Sequence, residues 1–182
     1  IIWNGLDKSE YVLIWDGRDT LFCLNDSGDE IWRARLPATS ISALSASAEA
    51  DIVFVVGSGG AIGFKCDGTE ICRLFGAFKS THVFASGSVL MLTASGEVRY
   101  SREAGRSPQN ITLAGPINAI YGDKAHAWLI GERFVATVNA DGTKVGEFKL
   151  PSALSFVRQD NIHGNIILAT LDNLILTVNE RA

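Results

Sequence analysis

Glycine-centred turns recur along this chain at a nearly fixed interval, and that interval restricts the fold more than any other feature. Asp26-Ser27-Gly28-Asp29, Asp67-Gly68-Thr69, Ala104-Gly105 and Asp141-Gly142-Thr143 each separate two apolar runs, and their glycines step by 40, 37 and 37 residues. A second series interleaves with the first: Asp16-Gly17, Ser58-Gly59-Gly60, Ser95-Gly96, Gly131-Glu132 and Asp172-Asn173. Asx-Gly pairs suit tight hairpins because such turns need positive φ, which glycine adopts without a Cβ clash. The runs between the turns are short, rich in Val, Ile, Leu, Phe and Trp, and lack helical spacing. That is the pattern of strands joined by hairpins.

Read in register, the runs fall into groups of four. IIW (1–3), YVLIW (11–15), TLFCLN (20–25) and EIWRARL (30–36) form the first group, which Pro37 ends. The second is SISALSAS (40–47), DIVFVVG (51–57), AIGFKC (61–66) and EICRLF (70–75). The third is THVFAS (81–86), VLMLTA (89–94), EVRYSR (97–102) and NITLAG (110–115). INAIYG (117–122), AHAWLIG (125–131), FVATVN (134–139) and VGEFKL (145–150) make the fourth, before Pro151. A fifth group has LSFVR (154–158), NIILAT (165–170) and LILTVN (174–179). Four strands repeated at this period are the signature of propeller blades. The expected fold is therefore an all-β propeller of four-stranded antiparallel blades, at about residues 1–37, 38–77, 78–115, 116–151 and 152–182.

One blade cannot cover both of its own faces. DIVFVVG and NIILAT are apolar at successive positions, so both of their faces are expected to be buried between neighbouring blades. The rival arrangement, a Greek-key sandwich, would show cleaner alternation. Four blades plus three strands of a fifth leave one outer strand missing, so the chain reads as part of a larger ring of six to eight blades (the usual range is about four to eight). An unpaired edge of that kind also invites self-association.

TLFCLNDSGDEIWRARLP (20–37) resembles the quinoprotein-type propeller repeat, and AIGFKCDGTEICRLFG and FVATVNADGTKVGEFKLP are similar, more divergent copies. Repeat length and strand order are equally similar to WD-repeat propellers, although Trp15-Asp16 ends the second strand of its blade rather than the third. The resemblance implies the fold and no activity. Quinoprotein enzymes are expected to need a complete eight-bladed ring, a calcium site and acids gathered over the channel. A chain of 182 residues is too short for that ring, and it carries no matching acidic motif. No cofactor is expected.

Composition narrows the ligands. The chain is 47% hydrophobic, which supports a sizeable core, and its 16 basic and 20 acidic residues give a net charge of −4. Nucleic-acid binding relies on clustered Lys and Arg, and no such cluster occurs, so nucleic acid is not the expected main ligand. No uninterrupted apolar run reaches the roughly 18 residues of a membrane-spanning helix. Cys23, Cys66 and Cys72 are too few and too irregular for a disulfide framework. They read as buried small hydrophobes in a reducing compartment, cytoplasm or nucleus, with a Cys66–Cys72 bridge as the alternative.

Each candidate for chemistry has a plainer competitor. His82, His126 and His163 sit in different repeats without metal-ligand spacing, and the first two are expected to bond within the core or between blades. Gly57-Ser58-Gly59-Gly60 precedes no helix and is read as a hairpin tip. Asp26, Asp29, Asp67 and Asp141 recur at the repeat spacing rather than within one calcium loop, so they are read as turn-stabilising residues. Trp3, Trp15, Trp32 and Trp128 do not recur in register, which weakens a carbohydrate-binding reading. What remains is surface recognition. In a propeller the connections between blades share a face with the second-to-third-strand hairpins, and this places Arg18, Asp19, Phe78, Lys79, Glu132 and Arg133 together with Pro37, Pro116 and Pro151. Loops on a rigid scaffold commonly carry binding groups. The expected function is a non-enzymatic scaffold that docks a protein partner; a lectin-like propeller or a fragment of a propeller enzyme are the alternatives.

Overall fold

The computed structural model describes residues 2–4, 10–36, 40–104, 106–159 and 166–178, with backbone alone at 2–4 and 10. Every regular element among them is a β-strand. Blade 1 contains β1 (Ile2–Asn4), β2 (Glu10–Trp15), β3 (Thr20–Leu24) and β4 (Glu30–Arg35). Blade 2 contains β5 (Ile41–Ser47), β6 (Ile52–Gly57), β7 (Gly60–Lys65) and β8 (Glu70–Phe75). β9 (Phe78–Val83), β10 (Val89–Thr93), β11 (Val98–Ser101) and β12 (Gln109–Asn110) form blade 3. β13 (Ile117–Gly122), β14 (His126–Gly131), β15 (Phe134–Asn139) and β16 (Lys144–Lys149) form blade 4. Blade 5 has β17 (Leu154–Gln159), β18 (Ile166–Thr170) and β19 (Ile175–Val178). Each sheet is an antiparallel meander in chain order, so the all-β, four-strand repeat expected from the sequence is present.

Core clusters lie between blades. Leu13, Leu21 and Trp32 of blade 1 pack on Val53, Val55 and Phe64 of blade 2. Phe54 and Val56, on the other side of the same strand, pack on Val89 and Met91 of blade 3. Leu90 and Leu92 then meet Ala127 and Leu129 of blade 4. Trp128 and Ile130 continue to Ile166 and Leu168 of blade 5. Successive side chains of a strand point to opposite faces, so a strand between two neighbours needs apolar residues at every position. All of β6 and all of β10 are buried. Runs of this kind exclude the sandwich.

NIILAT departs from its expectation. β18 alternates, with Ile166, Leu168 and Thr170 buried and Ile167 and Ala169 only partly so. Blade 5 has a neighbour on one side, and only that face is covered.

Two kinds of bulge recur that the sequence did not signal. In each of β5, β9, β13 and β17 the register slips at the second residue, leaving Ser42, Lys79, Asn118 and Ser155 as the extra residue. The slip exposes a carbonyl on the second strand. Ser155 Oγ donates to Ala169 O at 3.1 Å and Ser42 Oγ to Val56 O at 3.4 Å, at equivalent positions. The outer strands slip at Ile31, Ile71 and Val145. A bulge brings residues i and i+3 to one side of the strand, and each outer strand uses this for an ion pair: Glu30–Arg33, Glu70–Arg73 and, with the signs reversed, Lys144–Glu147. Bulges and charge on outer strands guard exposed edges against pairing.

Blade 3 differs from its expectation at both ends. Its inner strand is Phe78–Val83 rather than 81–86, because Phe84 N bonds Ser88 O and opens the turn. Phe84 is apolar because it is buried. The outer strand expected at 110–115 shrinks to Gln109–Asn110. Pro108 and Pro116 bracket it, and Ala114 N turns away to Glu147 of blade 4.

Candidate functional site

One face of the molecule is tied down residue by residue. It holds the hairpins between second and third strands and the connections from blade to blade. Leu36 N bonds Asp19 O, Ser58 N bonds Ser40 O, and Ala94 N bonds Ala77 O. Further round, Ile117 N bonds Gly96 O, Leu150 N bonds Arg133 O, and Leu171 N bonds Ala153 O. Each blade thus fixes its connection to its own or the next hairpin, at lengths from 2.6 to 3.1 Å.

The residues expected on this face take different roles. Arg18 is exposed at the tip of the first hairpin, which Asp16 closes by accepting from Arg18 N at 2.8 Å and Thr20 N at 3.1 Å. These backbone bonds hold the Asp16 carboxyl below its ordinary pKa. Asp19 is half-buried and accepts from Arg35 Nε at 2.7 Å, which lowers its pKa likewise. Lys79 is exposed as the bulge residue of β9. Glu132 and Arg133 are exposed on the blade 4 hairpin. Arg133 Nη2 reaches Pro151 O at 2.8 Å and clamps the connection to blade 5. Phe78 is a correction: it lies inside β9, is buried, and packs in the core between blades 2 and 3. A large aromatic beginning a strand serves the junction. Pro116 and Pro151 are exposed on the face, and Pro37 lies outside the described residues.

The same face holds a cleft of about 400 Å³ lined by Ser95, Glu97, Asn110, Thr112, Gly115 and Pro116. The short β12 opens it, and a second hollow of about 390 Å³ lies beyond the other end of that strand, beside Arg102, Arg106 and Asp141. Sequence reasoning missed both. The available signal was the pair Ser107-Pro108 and Gly115-Pro116, since proline has no N–H to give to a strand ladder.

The opposite face carries the turn aspartates. Asp67 Oδ1 accepts Thr69 N and Asp141 Oδ1 accepts Thr143 N, both at 2.8 Å, and both carboxyls are held below their ordinary pKa. In the first repeat Asn25 takes this part, accepting Asp29 N at 2.7 Å. Next to the turns lies the inter-blade contact expected of a histidine. His82 Nε2 meets Asp123 O at 2.9 Å, its ring stands edge-on to Phe84, and burial pushes its pKa down. A hollow of about 420 Å³ opens beside it, near the Glu49–Lys124 ion pair. Among the described residues no three His, Cys, Asp or Glu side chains group as a metal site. His163 lies outside the described residues. No disulfide joins Cys23, Cys66 and Cys72; Cys23 is buried, with a thiol pKa pushed up to about 11, and the other two are half-buried. Among the described residues no helix is long and apolar enough to cross a membrane.

No protein-family model matches the chain, and no curated protein matches it by sequence. Solved structures do. Hsv2 of Kluyveromyces lactis superposes with a TM-score of 0.68 at 13% identity, covering 93% of this chain and 57% of that one. The β-propeller domain of Cps50 (Swd1) of Myceliophteria thermophila superposes with a TM-score of 0.70 at 11% identity, covering 97% and 63%. The chain thus spans about three fifths of the length of these structures. At such low identity the likeness concerns fold alone. Stacked four-stranded meanders, apolar junctions between every pair of successive sheets, and these superpositions make the chain a β-propeller repeat protein.

Proposed function

We propose that this chain is a non-enzymatic scaffold that docks a protein partner on the face built from its hairpins and inter-blade connections. The observation that carries the reading is the series of backbone bonds that ties each connection to a hairpin. Stiff loops lose little entropy on binding, so a modest set of contacts suffices for affinity. The face mixes Arg18, Lys79 and Arg133 with Asp19 and Glu132, a polar surface that suits a protein better than a phosphate backbone. The cleft of about 400 Å³ beside it has room for an anchoring side chain. Without a disulfide among its cysteines, the chain suits a reducing compartment, cytoplasm or nucleus.

Cross-linking of recombinant protein in cell extract, with the cross-linked peptides mapped, tests this. The expected result is one stoichiometric protein partner joined through residues of this face, lost in an Arg18→Glu/Lys79→Glu variant that melts like the parent. Cross-links confined to the opposite face, or a variant that retains its partner, would refute the proposal. A glycan captured in place of a protein would support the lectin alternative.

A further inference from the structure

We infer that the outward faces of blades 1 and 5 are two halves of a blade junction, each covered in the intact protein by further four-stranded blades of the same polypeptide. Strand pairing makes Ile14 of β2 equivalent to Val55, Met91, Leu129 and Leu168 of the later blades. Those four are at most 2% exposed; Ile14 is 44% exposed. Ile175 of β19 is equivalent to Leu21, Ala61, Val98 and Val135, which are at most 1% exposed, whereas Ile175 is 71% exposed. Burial is what keeps these positions apolar in blades that have neighbours on both sides. Phe156 and Ile175 together present large apolar side chains on blade 5, where each inner blade turns the corresponding face to its successor.

A second feature points the same way. Trp32 of blade 1 lies over Gly68 of blade 2, and its Nε1 donates to Cys66 O at 2.7 Å. Tyr100 of blade 3 lies over Gly142 of blade 4, and its hydroxyl donates to Ala140 O at 3.1 Å. The aromatic of one blade thus caps the last turn of the next. Gly28 holds the same turn position, with φ 85° against 87° and 84°, yet no described residue lies within 4 Å of where its Cβ would be. A blade before blade 1 supplies that ring, with its donor on Asp26 O.

The occupant is a run of blades rather than a second copy of this chain. Blade 5's outward face matches blade 1's, so two copies would join head to tail as ten blades, beyond the usual range of about four to eight. A chain spanning 57–63% of the propellers it superposes on lacks about two blades of such a ring.

Two measurements decide it. The complete reading frame should encode about two more four-stranded repeats, one of them with Trp or Tyr at the position of Trp32 or Tyr100. A frame without such repeats overturns the inference, whatever the variants do. In protein made from the complete frame, Ile14→Cys and Ile175→Cys should react with a maleimide at least about tenfold more slowly than Phe75→Cys, which sits 79% exposed on the outer rim of blade 2. In the 182-residue chain at low concentration all three should react alike. Equal rates in the complete protein overturn the inference. So does protection in the 182-residue chain that grows with protein concentration, since a second copy is then the cover.

Discussion

Blade 2 and blade 5 have similar apolar content in their second strands, IVFVVG and IILAT, yet one is buried throughout and the other at alternate positions. The difference is neighbours. A blade with two neighbours converts every apolar side chain into a junction; a blade with one leaves half of them facing outward. Stability in this molecule therefore resides between sheets, and the pairing of strands within a sheet mainly sets which residue reaches which junction.

The strongest way to break that comparison is to truncate one covered and one outward-facing apolar residue. Phe54→Ala, fully buried between blades 2 and 3, should cost about 3–5 kcal/mol, read by urea unfolding. Ile14→Ala on the outward face should cost about 1 kcal/mol or less in the 182-residue chain. Similar losses would show that the junctions do not dominate. The turn glycines give a second pair. Gly28→Ala meets only the left-handed backbone penalty of about 1–2 kcal/mol. Gly142→Ala also drives a methyl to 2.6 Å from the Tyr100 ring, and should lose roughly 1–3 kcal/mol more. Equal effects would remove the aromatic cap from the account of the junctions.

A buried hydroxyl should follow. Ser88 Oγ donates across the seam to Ala140 O, and Ser88→Ala should cost about 1–2 kcal/mol by leaving that bond unmade. Ser155→Ala, on the exposed bulge of blade 5, should fall below about 1 kcal/mol. The smallest effect is that of pH at the seam between blades 3 and 4. The folded pKa of His82 is lowered by burial, so the unfolded chain binds more protons near its ordinary value of about 6.5. Stability is then full above that pH and falls as pH drops through the lowered folded value. Urea midpoints taken from pH 7.5 to pH 5 should show the decline, and His82→Gln should flatten it.

Strand existence and order were readable because hairpin glycines punctuate the chain and because turn chemistry is local: Asp67 and Asp141 accept from the residue two ahead, as their spacing implied. Boundaries were readable only where apolarity and pairing coincide. In blade 3 they do not. Phe84 is buried in a turn, and Phe78, read as a loop residue, begins a strand and fills a junction. The candidate face was legible as a set of loops, whereas its cleft was not, since it arises from an outer strand only two residues long, beyond which the backbone turns away to Glu147 of blade 4.

Sequence alone determined the repeat, its four strands and the side of each blade where the connections lie, because period, turn residues and alternation are properties of neighbouring residues. Tertiary structure decided which apolar side chains are covered, where the strands bulge, and which aromatic lies over which glycine. The coverage and the caps depend on a partner some forty residues away in the chain, as Trp32 over Gly68 and Tyr100 over Gly142 show. Burial belongs to the pair of blades, and a strand cannot announce it alone.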